Sequence, residues 1–229
     1  YNGEFFPGNQ ALPRLESQDW SWENQQVGLA VNGIFSGWDI AFYGAYLFDQ
    51  QPYFSDLSSG QRQYDKTLFG GIAANYALGN WLIKGEAAFW DGLKFSNIDA
   101  EKQRFDILVG FDYSGFNDTT ITLEVANRHL LDFDERLSQA PDGQKEDWTQ
   151  FAFRFTRDFL NDTLHLTLLL SSYGIFAGEG GFERLQLEYD LRDNLTLTGG
   201  LVLYQSGDFP SFQDVGDNDR LLFEIEYRF

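Results

Sequence analysis

Apolar and polar residues alternate with a period of two along most of this chain. Residues 105–113 read Phe-Asp-Ile-Leu-Val-Gly-Phe-Asp-Tyr, so Phe105, Ile107 and Val109 share one face of an extended segment, and Asp106 lies on the other. Successive side chains of a β-strand point to opposite faces, whereas a helix repeats every 3.6 residues. The same alternation recurs, with varying regularity, in residues 23–34, 38–48, 67–77, 81–90, 119–128, 150–156, 164–171, 184–191, 195–205 and 220–229. The pattern predicts an all-β chain of about eleven strands.

Short and long connections alternate between these segments. The short ones are rich in Gly, Asn and Asp, which tolerate the backbone angles of tight hairpins; they cover residues 35–37, 78–80, 114–118, 158–162 and 192–194. The long ones are polar and cover residues 49–66, 91–101, 129–147, 174–182 and 206–219. This alternation is typical of an outer-membrane barrel, which has short periplasmic turns and long extracellular loops.

The apolar face of each predicted strand is expected to meet lipid. Apart from Glu23 at the start of the first segment, it carries no charge within the segments assigned above, although 22% of all residues are charged. Aromatic residues gather near the strand ends, as they do at membrane interfaces. Unpaired backbone groups in hydrocarbon cost several kcal/mol each, so such a sheet must close. The predicted fold is a transmembrane antiparallel up-and-down β-barrel. The alternative is a soluble sandwich, which would bury the same apolar rows between two sheets.

The opposite, polar face carries both signs of charge, as expected of a wet lumen crossed by ion pairs. The candidate lumen-lining residues are Lys84, Glu86, Arg104, Asp106, Glu124, Arg128, Arg154, His165, Arg184 and Glu188. They could line a permeation path, or they could form ion pairs that fill a closed interior. The choice depends on the strand number, because narrow barrels are filled by side chains and wide ones leave an aqueous channel.

Composition excludes several classes of function. The 16 Lys and Arg against 35 Asp and Glu give a net charge of −19, which excludes a nucleic-acid partner held by phosphate neutralisation. No run of about 18 apolar residues is present, so no transmembrane helix is predicted. The chain has no Cys, which excludes disulfides, zinc sites built on Cys and Cys nucleophiles. No cofactor or metal is predicted.

The ends of the sequence lead to two further expectations. Phe229, with Tyr227 two residues earlier, resembles the C-terminal signal that the bacterial barrel-assembly machinery binds, and predicts that machinery as a partner. Single-chain bacterial barrels have an even number of strands, so eleven strands predict at least one earlier strand in a missing N-terminal part. Residues 1–21 are then the end of an extracellular loop, and residues 22–229 form the barrel strands.

The two histidines and the acidic loops are the candidate chemical sites. His165 shares the polar face with Thr167 and Ser171, and a His paired with a Ser, or with an Asp and a water, could act as the general base of a hydrolase. The more ordinary interpretation of His165 is a polar residue that lines the lumen. His129 is interpreted as a loop residue. The acidic loops contain Asp132, Asp134, Glu135, Asp214, Asp217, Asn218 and Asp219. These could bind divalent cations that bridge to lipopolysaccharide, although solvated carboxylates are the ordinary interpretation. No catalytic residue is predicted.

Several blocks resemble an uncharacterised family of bacterial outer-membrane β-barrel proteins whose domain has no known function. They are residues 113–120, 127–129, 157–164 and 216–220, and the resemblance covers most of residues 65–229 as the C-terminal part of the family. Family members usually have several hundred residues. The family is similar in context to partners of RND-type exporters and lipoprotein-carrier-like proteins, which implies the handling of hydrophobic or amphiphilic molecules.

The expected function is therefore a channel or porin-like transport protein in the outer membrane of a Gram-negative bacterium. Its solutes would be hydrophobic or amphiphilic, and its partners would be outer-membrane lipid and lipopolysaccharide. Two alternatives remain open. One is an accessory barrel of an envelope export complex, and the other is an outer-membrane hydrolase.

Overall fold

The computed structural model describes residues 21–174, 177–209 and 212–229, apart from the side chain of Glu23. Residues 1–20, which the sequence assigns to an extracellular loop, lie outside the described part. By contacts the chain forms two compact units. The first contains Gly85–Leu108, Asn127–Trp148 and the chain up to Asn75, and the second contains Tyr76–Lys84, Val109–Ala126 and Thr149–Phe229.

Strands make up most of the described chain. Their bounds are β1 Val27–Phe35, β2 Trp38–Phe48, β3 Tyr53–Asp56, β4 Gln61–Gln63, β5 Lys66–Leu78, β6 Trp81–Leu93, β7 Lys102–Phe116, β8 Thr119–Leu130, β9 Asp147–Phe159, β10 Leu164–Tyr173, β11 Gly181–Arg192, β12 Leu195–Gln205 and β13 Arg220–Tyr227. Short 3-10 helices cover Trp22–Asn24 and Glu135–Ser138. No helix in the described residues is long and apolar enough to cross a membrane.

Eleven of the described strands form one antiparallel sheet in the order of the chain, β1-β2-β5-β6-β7-β8-β9-β10-β11-β12-β13. The all-β class and the predicted number of sheet strands are confirmed. The remaining two strands, β3 and β4, pair with each other inside the predicted loop 49–66. The sequence did not predict this hairpin, because segments of four and three residues are too short to show a period.

The short turns contain the left-handed backbone that their composition predicts. Gly37 and Gly79 have φ values of 84° and 60°, and Asp118 has 52°. The turn after β9 is unusual, because the three consecutive residues 160–162 all have positive φ although none of them is glycine. Asn and Asp tolerate this conformation, but Leu160 does so at a steric cost.

The apolar rows of β1, β5, β6, β7, β11 and β13 are exposed, which is the reverse of a soluble sandwich, while those of β9 and β10 are half-buried. In β7, Ile107 and Val109 are 43% and 42% exposed, while Leu108 between them and Asp106 before them are half-buried. The edge strands β1 and β13 expose their apolar rows still further. These rows are not buried between two stacked layers, as the sandwich alternative requires.

The apolar faces do carry charges near the strand ends, beyond the segments to which the sequence prediction applied. Arg157 pairs in register with Leu166, and Glu183 pairs with Leu170, so each shares a face with the leucines of β10. Asp91, near the end of β6, accepts a hydrogen bond of 3.0 Å from the side chain of Gln103. The strands are longer than the sequence segments that were assigned, and the extra residues bring these charges in.

One group of buried apolar side chains lies in the first unit, at and beyond the ends of β6 and β8. Leu93, Ile98, Leu130 and Leu137 form a cluster, with Trp90, Phe95 and Phe133 packed against it. The surrounding segments are the β3–β4 hairpin and residues 94–101 and 131–146, which we call the loop cap. The long loops of this unit therefore have a small core of their own.

Candidate functional site

The polar faces of β6, β7 and β8 meet at Lys84 in the second unit. The Lys84 Nζ lies 3.1 Å from Asp112 Oδ2 and 2.9 Å from Glu124 Oε1. The sequence predicted Lys84 and Glu124 as lumen-lining residues, and the structure adds Asp112 as the third member. The three side chains are about one-quarter to one-third exposed, so water screens their attraction only in part.

A second charged group lies in the first unit and contains Arg104, Asp106 and Arg128. Asp106 Oδ1 is 3.0 Å from Arg104 Nε and 3.5 Å from Arg128 Nε. Trp90 Nε1 donates a hydrogen bond of 3.2 Å to the other carboxylate oxygen, and the Arg104 guanidinium lies 4.9 Å from the Trp90 ring centre. Two guanidiniums share one carboxylate, so this group has an excess positive charge.

The polar faces of β9, β10 and β11 are aligned by the strand register. Leu169 of β10 pairs with Arg154 on one side and with Arg184 on the other, and His165 pairs with Glu188. Four predicted lumen-lining residues thus share one face within the second unit. Arg184 Nη2 donates a hydrogen bond of 2.6 Å to Gln186 Oε1. In the first unit, Glu86 of β6 is exposed.

His165 contacts carboxylates, and the structure does not bring it to Ser171. Its Nδ1 is 2.7 Å from Asp158 Oδ1 and its Nε2 is 3.5 Å from Asp190 Oδ2. Thr196 Oγ1 donates a hydrogen bond of 2.7 Å to the other oxygen of Asp190. Ser171 lies six residues along β10, roughly 20 Å away, and its hydroxyl accepts from Gln150. Of the two pairings that the hydrolase alternative allows, a His–Asp pair is therefore present and the pair of His165 with Ser171 is not.

His129 is the penultimate residue of β8, so its interpretation as a loop residue is wrong. Its Nδ1 lies 3.0 Å from Asp147 Oδ1, at the start of β9. The alternation in β8 places His129 on the apolar face, with Val125. The alternation in β9 likewise places Asp147 on the apolar face, with Phe151. The pair is a polar contact at the rim of two apolar faces.

The acidic loops use their carboxylates for local structure. Asp134 accepts a hydrogen bond from the backbone N–H of Arg136, and the Arg136 guanidinium donates to both of its oxygens at 3.0 and 2.7 Å. The bond from the Arg136 side chain lowers the Asp134 pKa to about 2. Asp219 Oδ1 accepts from the backbone of Tyr204.

The expectation of a cation site in these loops gains no support from the geometry. Across residues 21–174, 177–209 and 212–229, no group of three or more His, Asp or Glu side chains is arranged to hold a metal ion. Hard cations need several oxygen ligands that converge on one point.

A cavity of about 290 Å³ lies in the loop cap and the adjoining strand ends of the first unit. Its lining residues are Asp49, Gln51, Pro52, Tyr53, Phe54, Leu93, Lys94, Phe95, Ser96, Arg104, Arg128, Leu130, Pro141, Asp142, Gln144, Lys145 and Trp148. Sequence reasoning missed this site. The signal that could have found it is the apolar and aromatic content of loops 94–101 and 131–146, which purely solvated loops do not need.

The segments around the cavity are tied to one another by hydrogen bonds. Ser96 Oγ accepts from the backbone N–H of Phe54 at 3.0 Å. Asp142 accepts from the backbone N–H groups of Ser96 and Asn97, each at 2.8 Å. The Asn97 side chain donates to the carbonyls of residues 136 and 139, each at 2.9 Å. The loop cap is therefore a folded structure with defined walls.

Comparison with known families gives a match over nearly the whole chain. Residues 3–229 match the model of a family described as a protein of unknown function (DUF1302). The match extends the resemblance found in residues 65–229 to the N-terminal part of the chain. No curated protein matches the sequence.

Proposed function

The chain belongs to the DUF1302 family of unknown function, and from the sheet that this member builds we propose that it is a bacterial outer-membrane β-barrel channel. Its role is porin-like transport, and its solutes are hydrophobic or amphiphilic. Outer-membrane lipid and lipopolysaccharide surround it. The observation that carries the proposal is the exposure of apolar side chains in rows along β1, β5, β6, β7, β11 and β13, with charged side chains forming ion pairs on the opposite faces of β6, β7 and β8.

Water cannot favour this arrangement, because the hydrophobic effect drives apolar surface out of contact with it. In a bilayer the same rows contact acyl chains, and the apolar band of a barrel is bounded by polar and aromatic residues at both interfaces. Arg157 and Glu183, near the strand ends, fit those boundaries. The Phe35 and Trp38 rings, which stack at 4.2 Å beside a short turn, fit the aromatic girdle.

The transport mechanism is passive. Charged and hydroxyl side chains on the polar faces line a wet path, and the long loops narrow its outer end. Such a path selects solutes by its width and by the charges along it. β1 and β13 are at the ends of the described strand order. Their outer backbone groups must be paired within the membrane, because each unpaired group in hydrocarbon costs several kcal/mol.

Planar-bilayer recordings with a matched pair of charge reversals test the proposal. Arg154 and Arg157 are both exposed residues of β9, but they lie on its polar and apolar faces respectively. We expect the protein to form channels, and Arg154→Glu to shift their ion selectivity towards cations in a KCl gradient. The same change at Arg157 should leave the reversal potential unchanged. Absence of conductance, or equal shifts for both variants, would contradict the proposal.

A further inference from the structure

We propose that the cavity in the loop cap is a binding site for a small amphiphilic acid, with one carboxylate on an apolar, aromatic body. The inference rests on the proposed function, because it names the solute class of that channel and places the site where the loops narrow its entrance. Binding at this site can nevertheless be measured apart from transport.

The walls of the cavity supply apolar and aromatic contact. Tyr53 and Phe54 come from β3, Phe95 from the loop after β6, and Trp148 from β9, while Leu93 and Leu130 connect the cavity to the buried cluster. Small-molecule sites are concave, mostly apolar and about 300–1,000 Å³ in volume, with a few polar groups that fix orientation. This cavity lies at the small end of that range, which suits a body of one or two rings.

The charges of the lining select an anion. The basic residues Lys94, Arg104, Arg128 and Lys145 line the cavity, against two acidic residues, Asp49 and Asp142. These four basic residues are a quarter of the 16 Lys and Arg of the chain, so basic residues are concentrated at the cavity although the net charge of the chain is −19. Both oxygens of Asp142 already accept backbone hydrogen bonds, so this carboxylate is less able to hold a bound cation.

Two of these basic groups have capacity for a further carboxylate. Arg104 and Arg128 both contact the carboxylate of Asp106, and Asp49 also attracts Arg104, but Arg104 Nε has no hydrogen-bond acceptor among the described residues. The 3.0 Å contact between that nitrogen and Asp106 is thus ionic without the alignment of a hydrogen bond. Guanidiniums bind carboxylates through paired, charge-assisted hydrogen bonds, and are the side chains of choice for this task. Lys94 is paired with Glu101 at 2.8 Å, which raises the Lys94 pKa.

The site is also preorganised. The hydrogen bonds of Ser96, Asn97 and Asp142 hold its loops together, and Leu137 anchors the loop after β8 in the buried cluster. Binding to walls that are already ordered loses less conformational entropy than binding to mobile loops.

Fluorescence titration of the detergent-solubilised protein with 2-naphthoate tests the site. We expect saturable binding, and binding at least tenfold weaker for the neutral isostere 2-naphthamide, because a hydrogen bond between charged groups contributes at least that factor. Arg128→Gln should weaken 2-naphthoate binding to a similar extent. Its side chain is about half exposed, so the change should leave the fold intact. Arg157→Gln, at an exposed residue on the apolar face of β9 in the second unit, is the matched control and should bind as the unchanged protein does.

Absence of saturable binding overturns the site, as does equal affinity for the acid and the amide, or unchanged affinity in Arg128→Gln. A separate bilayer recording keeps the two proposals distinct. If 2-naphthoate binds and Arg128→Gln weakens it, the site stands even when no conductance is measured, and only the channel fails. If conductance is measured without binding, the channel stands and the site fails.

Discussion

Lys84 shows how much a single side chain can contribute on the polar faces. Its ammonium lies between Asp112 and Glu124, at 3.1 and 2.9 Å, and it is the contact that brings these two carboxylates together. Without it, two like charges face each other across adjoining strands. The contribution of Lys84 is therefore the attraction it makes and also the repulsion it prevents.

We expect Lys84→Gln to lower the free energy of unfolding by about 1–2 kcal/mol, because it removes charge-assisted hydrogen bonds to two carboxylates. The effect is no larger because water partly screens charges at a site that is about one-quarter exposed. The measurement is the urea midpoint in lipid or detergent. Lys84→Arg keeps the charge and should lose less than half as much. Equal losses in the two variants would mean that the shape of the lysine matters and its charge does not.

Asp134 makes the stability of the loop cap depend on pH. Its folded pKa of about 2 is below its ordinary value of 3.8, because the Arg136 side chain donates hydrogen bonds to it. A carboxyl with a lowered folded pKa stabilises the fold above its unfolded pKa and loses that effect as pH falls through its folded pKa. The contribution of Asp134 is therefore complete above about pH 4 and disappears towards pH 2.

Pepsin cleavage within residues 131–146 measures this effect, with an unstructured peptide to correct for the activity of the protease. The unchanged protein should resist cleavage more than Asp134→Asn at pH 4, and the two rates should converge near pH 2. A constant ratio of the rates across this interval would refute the link between Asp134 and the helical turn that holds the buried Leu137.

At the scale of the element, the turns and the strands differ in what they require of each residue. Gly79, between β5 and β6, has a φ of 60°, and no heavy atom lies within 4 Å of the position that a Cβ would take. Gly85, inside β6, has the same open space without a positive φ. A side chain would meet open space at both positions, and only Gly79 has the left-handed backbone. Any difference between substitutions at the two glycines therefore reports backbone strain.

We expect Gly79→Ala to cost about 1 kcal/mol of stability, because only the left-handed backbone penalises it. Gly79→Asn should cost less, since Asn tolerates that conformation. Gly85→Ala is the matched control and should be neutral or slightly stabilising. Urea titration of the three variants gives the comparison, and an equal effect at both glycines would exclude the strain of the turn as the cause.

Sequence reasoning predicted elements well and tertiary loop structure poorly. Long strands such as β7 repeat the period many times, so their existence and their faces follow from the pattern. The β3–β4 hairpin is too short to show it, and the cavity depends on contacts such as those of Asp142 with Ser96 and Asn97, about 45 residues away in sequence. The contacts of His165 also escaped prediction, because Asp158 and Asp190 come from separate strands whose register a single sequence does not give.

At the scale of the whole molecule, the medium that surrounds the sheet decides which residues are tolerated. Ile107 and Leu108 are neighbours in β7 on opposite faces, with Ile107 exposed and Leu108 half-buried. In water, a lysine at the exposed position would be nearly neutral and a lysine at the half-buried position harmful. In a bilayer the order reverses, because the exposed face contacts hydrocarbon and the other face contacts a wet interior.

We expect Ile107→Lys to destabilise the protein by about 2–4 kcal/mol in lipid vesicles, the cost of a lysine near the bilayer midplane on the lipid face of a barrel. Leu108→Lys should cost less, since a lumen-facing ammonium stays hydrated. The measurement is equilibrium unfolding of the vesicle-inserted protein in guanidinium chloride, with both variants in the same lipid. If Leu108→Lys is the more damaging change, the exposed rows do not contact lipid, and the membrane assignment fails together with the channel built on it.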